Sequence, residues 1–135
     1  AFTRLQLNDP EVYGEELEDE VVLRVLAATE PALRGLVEVE SQEFLDLCPP
    51  AGPEFAAAVP ASWAESLLEQ QPPLRSLRLR LVPAKIAEEA FWARYFGAVF
   101  QILEDQLADE LRNGAAVSER GKSNWRASLM KFLVQ

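Results

Sequence analysis

The chain of 135 residues contains no histidine and a single cysteine, Cys48. Without histidine, the usual general base of hydrolytic triads and the commonest nitrogen ligand of zinc are both missing. One cysteine cannot form an internal disulfide bond, which is typical of proteins in a reducing compartment. These absences argue against a histidine-dependent enzyme and against most zinc sites.

Glycine loops of the phosphate-binding kind are also missing. The six glycines are scattered, and none belongs to a G-x-G-x-x-G or G-x-x-x-x-G-K pattern. Carboxylates are plentiful, notably between Glu15 and Glu20, but a catalytic carboxylate pair needs burial to separate its two pKa values. A solvated acidic helix start is the simpler interpretation of that run. We therefore expect no enzyme and no bound cofactor or metal.

Basic residues are few, with 13 Lys and Arg against 22 Asp and Glu, for a net charge of −9. The imbalance is strongest over residues 1–62, which hold 13 acids and 3 bases, whereas residues 113–135 hold 1 acid and 4 bases. Proteins bind DNA and RNA largely by neutralising phosphates with Lys and Arg. The composition therefore makes nucleic acid an unlikely partner.

Long apolar runs are absent too, since no stretch approaches the roughly 18 consecutive apolar residues of a membrane-spanning helix. The first eight residues also lack the basic-then-apolar order of a signal peptide. We expect an intracellular protein without a membrane span, cytoplasmic or nuclear. An organellar location stays an alternative if a targeting peptide has been removed.

The N-terminal half of the chain predicts two helices separated by a proline. Asp9-Pro10-Glu11 is a favourable helix start, because Asp caps, Pro suits the first helical position and acids favour the first turn. Glu30-Pro31 is expected to end this helix, and a second helix is predicted over Ala32–Leu47. Within the first helix, the β-branched run Val21–Leu26 leaves a strand open as an alternative. The apolar stripe of the first helix is Tyr13, Leu17, Val21, Val25 and Ala28, and the core candidates of the second are Leu33, Leu36, Val37, Phe44 and Leu47.

Prolines also divide the middle of the chain. Three prolines and a glycine predict a loop over Cys48–Pro53. Ser62-Trp63-Ala64-Glu65 has the S-x-x-E form of a capping box and predicts a short helix, which Pro72-Pro73 is expected to end. The next segment, Leu74–Leu81, fits two structures, because its leucines alternate as in a strand and also recur at i, i+3 and i+7 as in a helix.

Two further helices are predicted in the C-terminal half. The longer one runs from about Ala87 to Arg112 and stops at Asn113-Gly114, a favourable C-terminal signal. Ser123 can cap the last helix, which carries Trp125, Leu129, Phe132 and Leu133 on one face. The apolar stripe of the longer helix is Trp92, Phe96, Val99, Phe100, Leu103, Leu107 and Leu111.

A motif runs through the middle of these predicted helices. After a leucine-rich segment come Leu81-Val82-Pro83, Glu88-Glu89, Phe91-Trp92 and Tyr95-Phe96. This pattern resembles the BSD domain, a family named for subunits of a basal transcription and repair factor, synapse-associated proteins and DOS-like proteins. The resemblance extends over residues 44–103 and is best over 63–103. It departs at Gly97-Ala98, where relatives often carry Tyr or Phe followed by Arg.

The resemblance implies a three-helix bundle and therefore a helix over Leu74–Leu81. The complete expectation is an all-α protein with a compact three-helix BSD-type bundle over residues 63–112. An acidic helical segment over residues 1–62 is expected to pack on this bundle, and an amphipathic helix is expected over residues 113–135. The motif residues expected in the core are Leu81, Pro83, Phe91, Trp92, Tyr95 and Phe96. The alternative for Phe91-Trp92 is an exposed aromatic docking patch.

Function is predicted at the level of a non-catalytic protein-interaction module, a subunit or scaffold element of a larger assembly. The alternatives are a BSD protein associated with nucleic acid or chromatin, and a structural accessory subunit of an organellar complex. Two sets of partner contacts are proposed, although a solvated helix face and packing onto the chain's own core are simpler interpretations of them. The first is the basic cluster Arg75, Arg78, Arg80 and Lys85, and the second is Trp125, Leu129 and Phe132 of the last helix.

Overall fold

The computed structural model describes residues 19–50, 60–114 and 125–133, and this part of the chain is helical without any strand. The all-α prediction is confirmed, including the helical alternative for Val21–Leu26 and for Leu74–Leu81. The predicted start at Asp9, the end of the proline loop and the cap at Ser123 lie outside the described residues. The helices are α1 (Asp19–Gly35), α2 (Ser41–Leu47), α3 (Ala61–Gln70), α4 (Pro72–Leu81), α5 (Glu88–Arg112) and α6 (Trp125–Leu133).

The predicted break at Glu30-Pro31 is wrong, because Pro31 lies inside α1. A proline in this position removes one backbone hydrogen bond, to the carbonyl of Ala27. Both residues are exposed, so the carbonyl that loses its partner lies on the solvent side of the helix. The chain leaves helical geometry only after Gly35, and the predicted helix Ala32–Leu47 is therefore two separate elements.

The inward face of α1 also differs slightly from the predicted stripe. Val21 and Val25 are buried as expected, but Ala28 is exposed and Thr29 takes the next inward position. The Thr29 hydroxyl donates a hydrogen bond of 2.8 Å to the carbonyl of Val25, which satisfies its polar group inside the core. A small hydroxyl residue can therefore occupy a position that hydropathy alone assigns to an apolar side chain.

The prolines between α3 and α4 act at the start of a helix as well as at the end of one. The helix α3 ends at Gln70, and Pro72 and Pro73 occupy the first turn of α4, where a missing N–H costs little. The predicted capping box is wrong, because α3 already begins at Ala61. Its N-cap residue is Pro60, which makes no side-chain cap, and Ser62 lies within the helix.

The helix α5 is the centre of the molecule. Its buried residues run from Phe91 to Leu107, and α1 packs along it in the antiparallel direction, so that Arg24 meets Glu110 near the end of α5. The helix α6 packs against α1, and the indole of Trp125 lies edge-on to Phe100 of α5. One continuous hydrophobic cluster joins the six helices of the described residues.

The predicted end of α5 is confirmed. Asn113 is the C-cap residue, and Gly114 follows with a φ of 98°. This left-handed backbone conformation favours glycine because it has no Cβ. One core prediction in α2 is wrong, since Leu47 at the end of that helix is 47% exposed.

Candidate functional site

The aromatic part of the motif lies in the hydrophobic core. Phe91, Tyr95 and Phe96 are almost completely buried, and Trp92 is only 9% exposed. The ring of Trp92 stacks on Phe96 with 5.6 Å between centroids, and Phe91 stacks on Phe44 of α2 at 5.4 Å. Large stacked rings bury much surface per residue, which a small helical bundle needs. The motif aromatics therefore form the interior of the domain and do not form an exposed patch.

Glu88 connects the basic cluster to these aromatics. The guanidinium of Arg78 forms a bidentate pair with its carboxylate, with 2.7 Å from Nε to Oε2. The indole Nε1 of Trp92 donates a second hydrogen bond of 2.7 Å to the same Oε2. The hydrogen bonds from Arg78 and then Trp92 lower the pKa of Glu88, against the opposing effect of desolvation. This arrangement joins α4 to the first turn of α5.

The four basic residues of the predicted cluster therefore have different surroundings. Arg78 is held by Glu88, whereas Arg75, Arg80 and Lys85 are exposed. Within the part of the chain that the structure describes, no carboxylate lies within ion-pair distance of these three cations. Arg80 Nε instead makes a long contact of 3.4 Å with the carbonyl of Ser76.

An exposed leucine lies among these cations, at a position that the sequence analysis did not single out. Leu79 is 71% exposed, whereas Leu81 on the other side of α4 is fully buried. The exposed residues Arg75, Ser76, Leu79 and Arg80 together make up what we call the outer face of α4. Pro83 follows in the turn after the helix and is exposed, although the motif predicted it in the core.

The last helix is covered by the chain itself. Trp125 and Leu129 are buried, and Phe132 is partly buried against the same cluster. The guanidinium of Arg126 lies over the ring of Phe100 at 4.9 Å from the centroid, within the range of a cation–π contact. These contacts favour the interpretation that α6 packs onto its own core.

Arg94 holds α2 against α5 and was not among the predicted site residues. Its Nη1 donates hydrogen bonds of 3.1 Å and 2.9 Å to the carbonyls of Leu45 and Cys48, at the end of α2. Unpaired carbonyls at a helix end favour such a cation. Burial raises the pKa of the neighbouring Cys48 thiol to about 12, so it stays protonated and is a poor nucleophile.

Several cavities open on the described surface, and two of them adjoin the motif aromatics. One of about 440 Å³ lies between the end of α1, the α3–α4 junction and α6, with Leu33, Leu67 and Met130 among its lining residues. Another of about 360 Å³ lies between α3 and α5, beside Trp92. Burial raises the pKa of Tyr95, on the wall of the first cavity, to about 12. Both cavities are lined mainly by apolar side chains.

Residues 19–50, 60–114 and 125–133 contain neither a membrane-spanning helix nor a cluster of metal ligands. No helix there is both long enough and apolar enough to cross a membrane. No three potential metal ligands among His, Cys, Asp and Glu converge in these ranges. Ion pairs, hydrogen bonds and aromatic packing organise the described site.

Comparison with known proteins agrees with the sequence motif. The family model described as the BSD domain matches residues 56–107, a range that contains α3, α4 and most of α5. No curated protein and no solved structure matches the chain. The matched range includes every motif residue from Leu81 to Phe96, which the structure places around the α4–α5 junction. Residues 56–107 are thus similar to the BSD domain family.

Proposed function

We propose that this protein is a non-catalytic interaction module that binds other proteins within a larger intracellular assembly. The observation that carries the proposal is the outer face of α4, where Leu79 stands exposed among arginines that have no carboxylate partner in the described chain. Isolated exposed leucines are common on protein surfaces. A leucine surrounded by unpaired cations on a firmly held helix is a more specific arrangement.

The rigidity of α4 supports this proposal. Leu74, Leu77 and Leu81 are all fully buried on the inner side of the helix, and Arg78 ties it to the start of α5. A surface on a rigid element loses little conformational entropy on binding, which favours affinity. The membership of α4 in the BSD domain agrees with an interaction role, as the family resemblance implies.

The division of the chain remains part of the same proposal. The BSD-type bundle of residues 63–112 supplies the binding surface, the acidic segment 1–62 packs on it, and residues 113–135 form a C-terminal amphipathic helix. A cytoplasmic or nuclear location is the leading expectation. The accessory-subunit alternative in an organelle differs from the leading proposal in compartment and not in mode of binding.

The proposal is tested on the protein in a native cell extract. Size-exclusion chromatography followed by immunodetection is expected to place the chain in fractions far above its own mass of 15.1 kDa. Affinity purification at physiological salt and mass spectrometry then identify the proteins that co-elute with it. Elution at monomer mass, with no protein enriched over a tag-only control, would contradict an interaction function.

A further inference from the structure

The outer face of α4 differs in charge from the rest of the protein. The helix carries Arg75, Arg78 and Arg80 and no acidic residue, in a chain whose net charge is −9. Leu79 is 71% exposed at the middle of this face, compared with 57% for Leu23, the next most exposed large hydrophobic residue among those described. A local basic surface with an apolar centre is thus displayed on an acidic protein.

The positive charge is not spread evenly across this face. Arg80 borders an open cleft of about 460 Å³ whose lining includes Glu38, Glu40 and Glu43, so carboxylates offset its charge at longer range. Arg78 is neutralised by its pair with Glu88. Arg75 has no carboxylate within ion-pair distance among the residues the structure describes, and it does not line that cleft. Arg75 is therefore the arginine of α4 that neither pairs with a carboxylate nor borders the cleft lined by the three glutamates.

We infer that the outer face of α4 docks an acidic peptide segment of a partner protein, with an apolar side chain on Leu79 and a carboxylate at Arg75. This inference rests on the proposed function and specifies the chemistry of the partner. Charge complementarity at Arg75 selects an acidic segment, and Leu79 requires an apolar residue beside the acids. Helix positions i and i+4 lie on the same side of a helix, so one short segment reaches both residues.

A short peptide fits this surface better than an extended polyanion. DNA or an anionic membrane would bring many negative charges near the carboxylates of the acidic chain, including Glu38, Glu40 and Glu43 across the cleft. A peptide that covers only Leu79 and Arg75 avoids most of this repulsion, because screening limits Coulomb interactions to about 10 Å at moderate salt. Duplex DNA and anionic vesicles are therefore the competing probes of the test.

The first experiment uses the full chain and a fluorescent synthetic peptide that alternates Asp with Leu. Fluorescence anisotropy at low salt is expected to show saturable binding that weakens as salt is raised to the physiological level. Two matched peptides, one with Asn in place of Asp and one with Ser in place of Leu, are each expected to bind about tenfold more weakly. Duplex DNA and vesicles containing phosphatidylserine serve as the other two ligands.

The second experiment compares variants on the same face of the helix. Leu79→Ser and Arg75→Glu are each expected to weaken peptide binding by about tenfold or more. Arg80→Glu serves as the matched control, since Arg80 already has carboxylates across its cleft, and it is expected to have a clearly smaller effect than Arg75→Glu. All three positions are exposed, so thermal melting is expected to stay close to wild type.

The results separate this inference from the proposed function. The inference would be overturned if the wild-type chain did not bind the acidic peptide, or if Leu79→Ser and Arg75→Glu bound the peptide as tightly as wild type. Tighter binding of DNA or vesicles than of the peptide would also overturn it. The proposed function would still stand if the native assembly persisted in extracts with these variants. Loss of the assembly with Leu79→Ser and Arg75→Glu, but not with Arg80→Glu, would support both.

Discussion

Trp92 combines two kinds of interaction in one residue. Its ring stacks on Phe96 and meets Phe91 and Tyr95 edge-on, while its Nε1 reaches the carboxylate of Glu88 near the surface. A buried tryptophan usually needs such a partner for its N–H. The residue therefore links the hydrophobic core of the bundle to the ion pair that holds α4.

Replacement of Trp92 separates these two contributions. We expect Trp92→Ala to lower the free energy of unfolding by roughly 3–5 kcal/mol, the usual cost of emptying a large buried aromatic site. Trp92→Phe keeps an aromatic ring but lacks the N–H donor. We expect it to lower the free energy of unfolding by less than Trp92→Ala does. Urea unfolding measures both variants. If Trp92→Ala melted like wild type but lost its partner, the residue would be a docking residue and not a core residue.

The lowered pKa of Glu88, at the α4–α5 junction, makes the stability of the protein depend on pH. Its pKa in the folded protein is lowered from 4.5, chiefly by Arg78, so folding favours the ionised form. This contribution to stability is fully present above pH 4.5 and is lost as pH falls through the lowered folded pKa. The carboxylate is partly exposed, so solvent screening keeps the contribution modest.

The variant Glu88→Gln tests this linkage. It is expected to lower the melting temperature at pH 7, and the difference from wild type is expected to shrink as pH falls below 4.5, because protonated Glu88 no longer pairs strongly with Arg78. Thermal melts followed by circular dichroism between pH 3 and 7 measure the effect. Glu89→Gln is the matched control, since Glu89 is exposed and makes no ion pair within the described ranges. If the difference in melting temperature between Glu88→Gln and wild type stayed constant with pH, the role given to Glu88 would be contradicted.

At the scale of elements, contacts distant in sequence decide how the helices are held. Arg94 on α5 caps the carbonyls of Leu45 and Cys48 at the end of α2, and Arg78 on α4 reaches Glu88 on α5. The helix α2 has only seven residues and no side-chain N-cap. A helix this short is marginal by itself, so its stability comes from packing and from Arg94.

The terminal helix α6 is expected to stabilise the fold in cis. A truncation after Asn113 removes Trp125, Leu129 and Met130 from the core, and each buried side chain of this size is worth about 1.5–3 kcal/mol. The total is a large part of the roughly 5–15 kcal/mol that stabilises a typical domain. We therefore expect the shortened chain to be unfolded or strongly destabilised in circular dichroism melts.

A point substitution in α6 serves as the milder companion to the truncation. Leu129→Ala is expected to cost about 2–5 kcal/mol while leaving the rest of the chain intact. If the shortened protein stayed folded at wild-type stability but lost its partner, α6 would be the binding element. Strong co-sedimentation of the intact chain with anionic vesicles would contradict packing on a protein surface.

At the scale of the whole molecule, charge distribution separates the protein-binding hypothesis from the nucleic-acid alternative. The net charge of −9 arises mainly from residues 1–62, and within the described part several arginines are already paired with carboxylates. We expect no measurable binding to mixed-sequence duplex DNA at physiological salt, because few cations remain to release counterions.

An electrophoretic mobility shift or anisotropy titration with duplex DNA measures this directly. A protein with a basic groove of known DNA affinity serves as the positive control, and the Arg75→Glu variant tests whether any weak binding uses α4. A micromolar complex that weakens steeply with salt would reverse the order of the two hypotheses. It would also favour a chromatin-associated role for the BSD domain.

Much of the fold was predictable from local patterns. The stripe from Trp92 to Leu107 fixes α5, Asn113-Gly114 predicts where it ends, and the motif from Leu81 to Phe96 predicts the BSD domain. These features depend on neighbours within a few turns, so the sequence alone is enough to recognise them. The helical state of Leu74–Leu81 needed the family resemblance, because its leucine spacing suits both helix and strand.

Only the tertiary structure decided which side chains are left available for binding. Arg75, Arg78 and Arg80 look equivalent along the chain, yet Glu88 holds one of them and three carboxylates lie across a cleft from another. Pro31 inside α1 and the exposed Leu79 likewise depend on what packs against each helix, and not on the helix itself. The sequence determined the elements because periodicity is local, whereas pairing and exposure depend on which residues folding brings together.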